Sequence, residues 1–168
     1  AAQFANQKMG DFRETVNYGL RTIAFVAIPS TVILIILRVP IIQLLFQHGE
    51  FSAKATADVA NPVIFYSLGI LAWSSHPLMA RAFYSMRVTW VPVLTGTIMT
   101  VIFVALNWVL MNAMMHCKYG GHSGLALATT IAAFGDMLLL LYFLRIKAGG
   151  INVRRILLSL TKITAASL

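Results

Sequence analysis

Long apolar runs alternate with short polar or glycine-bearing breaks along this chain. The runs are too long for strands, which need about 4–8 residues, and long enough for membrane-crossing helices, which need about 20. Residues 19–46, 59–86, 91–115 and 124–144 each meet that length, and a fifth run opens near Ile156 and is cut at Leu168. In the first run, Arg21 and Arg38 bracket the most apolar part, IAFVAIPSTVILIIL, close enough to its ends for both guanidinium groups to reach headgroups. Pro29 is expected to bend this helix and Val39-Pro40 to end it, leaving IIQLLF as a short interfacial turn. Pro62 and Pro77 fall in the second run, and Pro92 opens the third, where the first helical turn tolerates it. Gly49, Gly120-Gly121 and Gly149-Gly150 mark the turns. Residues 1–18 are polar, with Phe12, Val16 and Leu20 at a spacing of four. That single stripe predicts a cytoplasmic helix lying on the membrane surface. The expected fold is therefore all-α: an interfacial helix over 1–18, then a polytopic transmembrane helix bundle over 19–168. The bundle has four complete spans plus the start of a fifth, within one larger domain.

Composition supports this reading. Apolar residues make up 59% of the chain and charged residues 11%, against roughly 45–50% and about 25% in ordinary soluble domains. So much apolar surface has to face lipid or other helices within lipid. The net charge of +8 does not imply nucleic acid, because the basic residues form no patch with interleaved aromatics. They stand at the ends of the runs. With the N-terminus in the cytoplasm, Lys8, Arg13, Arg21, Arg81, Arg87, Arg145, Lys147, Arg154 and Arg155 all fall inside. Lys54 and Lys118 fall outside, with Arg38 near the outer interface and Lys162 in the partial span. His48, Glu50, Asp58, Cys117 and His122 are then extracytoplasmic. The chain opens without Met or a signal-peptide core and closes inside an apolar stretch, so a piece of a longer protein is expected. Cys117 is the single cysteine, which excludes an intramolecular disulfide.

Candidate chemistry concentrates in the spans. Asp136 lies near the middle of the fourth, where a carboxylate costs at least about 2.5–3.5 kcal/mol and demands a partner, a cavity or a proton. Gly124, Ala128, Ala132 and Asp136 are four apart and share one helix face, whose small residues admit a neighbouring helix. Asp136 is either a cation or proton site or a structural hydrogen-bonding group. On the third span Gly96, Thr100, Phe103 and Asn107 form a polar-bearing face that offers it a partner surface. Thr129 and Thr130 are further candidates, unless they bond their own helix carbonyls. In the second span, Ser74-Ser75-His76-Pro77 combines a helix hinge at Pro77 with an imidazole, His76, that either satisfies freed carbonyls or lines a pathway. Arg81 and Arg87 flank the basic loop RAFYSMR as topology anchors or phosphate contacts. His116, Cys117 and His122 share an outer loop but lack zinc spacing, and no metal site is read there. Nucleotide-binding loops, nucleophile elbows and paired catalytic acids are missing from the sequence, so no enzyme is predicted.

The segments FRETVNYGLRTIAFVAIPS, PIIQLLFQHGEFSAKAT, FYSLGILAWSSHPLMARAFYSMRVTWVP, GGHSGLALATTIAA with LLLLYFLR, and GGINVRRILLSL resemble the MurJ/MviN family of lipid II flippases. PIIQLLFQHGEF and ARAFYS are the most specific blocks. The resemblance implies one half of a two-lobed exporter, with this piece corresponding to the ninth to twelfth helices and the start of the thirteenth. It also implies a cytoplasmic start, in agreement with the charge distribution. Two departures stand out. The family's Asp-Thr-x-Thr-Pro-like turn is replaced by Arg87-Val88-Thr89-Trp90-Val91-Pro92, without the acid, and relatives often carry an amide where Asp136 stands. Sodium-dependent members hold a cation on helices that here contain Asn107, Thr129 and Thr130, but Met111 occupies the position of the expected acid. The family's pyrophosphate-binding arginines lie in segments outside this chain.

The resemblance thus implies a flippase that carries undecaprenyl-linked peptidoglycan precursor across the bacterial inner membrane by alternating access. Its partners would be membrane lipid, the lipid-linked precursor and an N-terminal lobe. No cofactor is implied, and the coupling ion is left between sodium and a proton. An exporter of other lipid-linked oligosaccharides or drugs, and a non-transporting scaffold of the same fold, are the alternatives.

Overall fold

In the computed structural model, residues 2–46, 53–115 and 120–149 are described, and they form four α-helices: α1 (Ala2–Phe46), α2 (Ala53–Ser85), α3 (Trp90–Met114) and α4 (Gly120–Ala148). His48, Glu50, His116, Cys117, Lys118 and the partial fifth span lie outside the described residues. All four helices are long and apolar enough to cross a membrane. Backbone groups explain why nothing else forms. In hydrocarbon each unpaired N–H or C=O costs several kcal/mol, and a helix pairs them within its own segment.

The same argument corrects the expected break at Val39-Pro40. The helix runs through both Pro29 and Pro40 to Phe46, so IIQLLF forms its last turns. A proline removes one hydrogen bond, whereas ending a helix orphans four carbonyls. Near Pro40 the Arg38 guanidinium donates to the Ile35 carbonyl at 2.6 Å. Upstream, the 1–18 segment continues directly into the first span as one helix of 45 residues, about 68 Å long at 1.5 Å per residue. That is about twice the ~30 Å hydrocarbon core, so part of α1 projects beyond it.

Helix order in space differs from order in sequence. α1 packs on α2, α2 on α4, and α4 on α3, while α2 and α3 scarcely touch although a short turn joins them. α2 and α4 run parallel, side by side. Contacts from Phe65 with Thr130, through His76 with Asp136, to the Met79–Phe83 and Leu140–Leu144 region trace their shared interface.

At one end of the bundle lies its core: Val16, Leu20, Met79, Ala82, Phe83, Val91, Leu140 and Leu144. Val16 and Leu20 belong to the stripe read as a membrane-surface face, and Phe12 packs against the same cluster. The stripe therefore covers α2 and α4, because these helices present larger apolar side chains there than a surface helix would find in headgroups. Arg13 on α1 fastens this end, its Nε donating to the carbonyl of Ala148 at the α4 C-terminus, where a cation also complements the helix dipole. Gly149 follows with φ +66° and its N–H on the Arg145 carbonyl at 3.0 Å.

The turn after α2 closes by local hydrogen bonding. Val88 N–H donates to Phe83 O and Arg87 N–H to Tyr84 O, each at 3.0 Å, with Arg87 at φ 57°. This is a Schellman ending, which needs one left-handed residue and sets an apolar side chain against the last turn. Val88 supplies that side chain, packed on the core.

Candidate functional site: a hollow between three helices

Above the dry core, α2, α3 and α4 separate around an open-sided cavity of about 360 Å³. Each helix contributes one face at three-and-four spacing. α2 supplies Ala72, Trp73 and His76; α3 supplies Gly96, Met99, Thr100 and Phe103; α4 supplies Thr129, Ala132, Ala133 and Asp136. Small residues create the space. A side chain at Gly96 would enter open volume. At Gly124 of α4, two face-repeats before Ala132, an added Cβ would meet the α3 backbone, 2.7 Å from the Leu110 carbonyl carbon and 2.9 Å from Met111 Cα. The small-residue stripe of α4 thus seats α3 tightly at Gly124, and along the same face α4 opens to the hollow at Ala132 and Asp136.

His76 and Asp136 face each other across this space. His76 Nε2 lies 3.3 Å from Asp136 Oδ2. The contact is an ion pair when the imidazole carries two protons and a hydrogen bond when Nε2 alone holds one. The Asp136 side chain is mostly buried, and its Oδ1 has no hydrogen-bond partner, whereas His76 is 43% exposed. The hydroxyls of Thr100 and Thr129 donate to their own helices, at Gly96 O and Leu125 O, both at 2.8 Å. They therefore offer only lone pairs to anything that enters.

The other sequence candidates separate from this group. Thr130 does not line the hollow and donates to the Phe65 carbonyl of α2 at 2.6 Å, a bond between helices and not within its own. Gly69 permits this approach, since a Cβ there would stand 3.1 Å from Thr130 Oγ1. Asn107 lies a turn beyond Phe103, outside the cavity wall, with its Oδ1 buried and unbonded. Pro77 follows His76 inside an unbroken α2. Ser75 donates to Leu71 O at 2.7 Å, and His76 turns to Asp136 instead of the Trp73 carbonyl that Pro77 releases. Arg81 and Arg87 are exposed, Arg21 keeps a buried Nε without a partner, and none of the four interfacial arginines lines the cavity. Trp73, Met99 and Ala133 line the hollow without having been singled out. Their spacing of three from His76, Asp136 and the Gly96 face is the signal that would have found them.

The family profile described as lipid II flippase MurJ matches residues 1–168. A lipid II flippase MurJ of Thermosipho africanus is 33% identical over 139 residues, which cover 80% of this chain and 28% of that protein. A solved structure of lipid II flippase MurJ in an inward closed conformation is similar with a TM-score of 0.76 and 29% identity, over 94% of this chain and 31% of that one. The chain spans less than a third of the length of these two relatives. Helices of this length, packing and sequence leave one assignment: the chain belongs to the lipid II flippase MurJ family.

Proposed function

We propose that this chain is part of a flippase that moves undecaprenyl-linked peptidoglycan precursor to the outer face of the bacterial inner membrane by alternating access. The observation that carries the reading is the family match along all 168 residues, joined to likeness with a flippase structure in a named conformational state. The chain supplies helices of the C-terminal lobe, and a second lobe completes the path. Charge balance supports that division. A pyrophosphate cannot cross hydrocarbon without neutralising groups, while among the described residues the hollow presents His76 and Asp136 and no arginine or lysine. Neutralisation therefore falls to the other lobe, and this lobe works by rocking against it. No catalytic step is assigned to any residue. The placement of basic residues supports a cytoplasmic start of α1.

Depletion of the full-length protein in its host, with precursor assayed on each membrane face, tests the function. Inner-face accumulation rescued by the full-length protein supports it. Undiminished outward flux after complete depletion, with no redundant flippase present, overturns it in favour of a scaffold. For sidedness, with the native cysteines including Cys117 replaced by serine, a cysteine at exposed His122 is expected to react with an impermeant maleimide from outside. One at exposed Tyr84 is expected to react only after lysis.

A further inference from the structure

We propose that His76 and Asp136 form a proton-binding pair whose occupancy decides whether the hollow between α2, α3 and α4 can close. The proposal rests on the transporter reading above and adds its coupling site. Three observations carry it. The two groups meet at 3.3 Å within the membrane-spanning parts of α2 and α4. Apart from the Thr100 and Thr129 hydroxyls, which donate to their own helices, their surroundings are apolar or small, among them Trp73, Met99, Phe103 and Ala132. Among the described residues, they are the only titratable side chains on the cavity wall; α3 contributes none, and α1 does not reach it.

Charge counting gives the device. With a neutral imidazole and an ionised carboxylate, the pair carries one net negative charge. A proton taken from water at the open side brings it to zero, either as imidazolium with carboxylate or as imidazole with carboxylic acid. The proton leaves a hydronium ion, which becomes water, and adds to a ring nitrogen or a carboxylate oxygen, with no other bond changed. An unneutralised carboxylate is costly in a closed apolar site, whereas a neutral, mutually bonded pair is much cheaper there. The empty pair therefore holds the hollow open to water, and the loaded pair permits α3 to close over it. Release of the proton on the opposite face resets the lobe.

A proton fits better than a metal cation. Hard cations take several oxygen ligands. Here a ring nitrogen occupies one side of Asp136, leaving Oδ1 and the hydroxyls of Thr100 and Thr129. Imidazole is the side chain whose ordinary titration lies nearest neutral pH, which suits it to exchange a proton between two faces of a membrane.

The test uses the full-length protein in lipid nanodiscs, followed by infrared difference spectra between acid and alkaline buffers. Carboxyl and imidazole bands that change together are expected in the wild type, and both are expected to be lost in His76→Gln and in Asp136→Asn, which keep size and polarity. Circular dichroism establishes folding of each variant, and either folded variant alone decides the matter. Unchanged difference bands in a folded variant overturn the proposal. Displacement of the bands by sodium at fixed pH also overturns it, in favour of a cation site. In proteoliposomes carrying lipid-linked precursor, gradient-driven flux is expected to be lost in both variants. If wild-type protein moves no precursor under any gradient while the bands still vanish with either substitution, the proton site stands and the cargo reading fails.

Discussion

The interface between α2 and α4 contains two contrasting regions within a few helical turns. At one end Met79, Phe83, Leu140 and Leu144 are fully buried and wholly apolar. A few residues earlier on both helices, Ala72, His76, Ala132 and Asp136 line a hollow, with His76 and Asp136 in contact at its wall. Pro77 sits at the boundary, between the last residue of the hollow and the first of the core. Because bilayer lipid supplies little hydrophobic drive for helices to associate, the dry end must hold by close packing. The hollow end forgoes that packing in return for polar groups. The same two helices thus divide their length between a part that fixes them together and a part that lets something in.

Substitutions on either side of the boundary probe the division, and the largest effect belongs to the dry end. Phe83→Ala is expected to cost about 3–5 kcal/mol, since a fully buried ring leaves a void that close-packed neighbours cannot fill. Phe103→Ala, which borders existing open space, is expected to cost much less, because fewer contacts are lost. Unfolding titrations in bicelles would compare the two. Equal losses would remove the distinction between a packed and a hollow region.

A second pair of substitutions asks whether the α3–α4 contact is tight along its whole length. At Gly124 an added methyl meets the α3 backbone, which can move only with its helix. At Gly135 it meets the sulfur and methyl of Met99, a flexible side chain beside the hollow. Gly124→Ala is therefore expected to destabilise by about 1–3 kcal/mol, and Gly135→Ala to be nearly neutral as Met99 shifts into free volume. The same unfolding measurement decides, and a reversed order would show that α3 is anchored at the hollow and not at Gly124.

Within the hollow, Asp136→Leu removes the partner of His76 and is expected to cost about 1–3 kcal/mol, the scale for leaving a polar group unpaired. Asp136→Asn keeps an oxygen acceptor at the same position and is expected to retain most of the stability while losing the charge. Thermal stability of the two variants, read beside transport, separates packing from charge. If Asn and Leu are equally stable and equally active, the pair has no buried role.

How much of this was legible beforehand follows from what periodicity encodes. Spacing of four placed Asp136 on the small face of α4, and that placement survives in the cavity wall. The stripe Phe12–Val16–Leu20 was equally legible as a stripe, but its partner was not, since a membrane surface and a neighbouring helix make the same pattern. Identifying His76 as the partner of Asp136 required knowing that α2 and α4 lie side by side with α3 displaced, a tertiary fact that local spacing does not carry. Pro40 misled because chain-breaking propensity is measured against water, while hydrocarbon raises the cost of a broken helix. Asn107 shared the right face of α3 with Thr100, yet lies beyond the end of the hollow, which periodicity cannot locate along a helix.

The smallest expected effect distinguishes two adjacent threonines of α4. Thr130 Oγ1 donates across the interface to Phe65 O, while Thr129 Oγ1 donates back to Leu125 O of its own helix. Valine keeps the shape of either side chain and deletes the hydroxyl. Interhelical hydrogen bonds in membranes average about 0.6 kcal/mol and reach about 1.7 at most, because separated helices find other partners. Thr130→Val is expected to fall in that range, as it removes a tie between α2 and α4 beyond the hollow. Thr129→Val is expected to fall below it, because the Leu125 carbonyl sits inside a helix that supplies its own backbone partner. The contrast is sharper in transport than in stability. Thr129 lines the hollow and Thr130 does not, so the substitution that matters less for holding the helices together should matter more for what enters between them. Unfolding free energy and gradient-driven flux measured on both variants test that crossing. If Thr130→Val proves the more damaging in both measurements, the hollow has no polar requirement beyond His76 and Asp136.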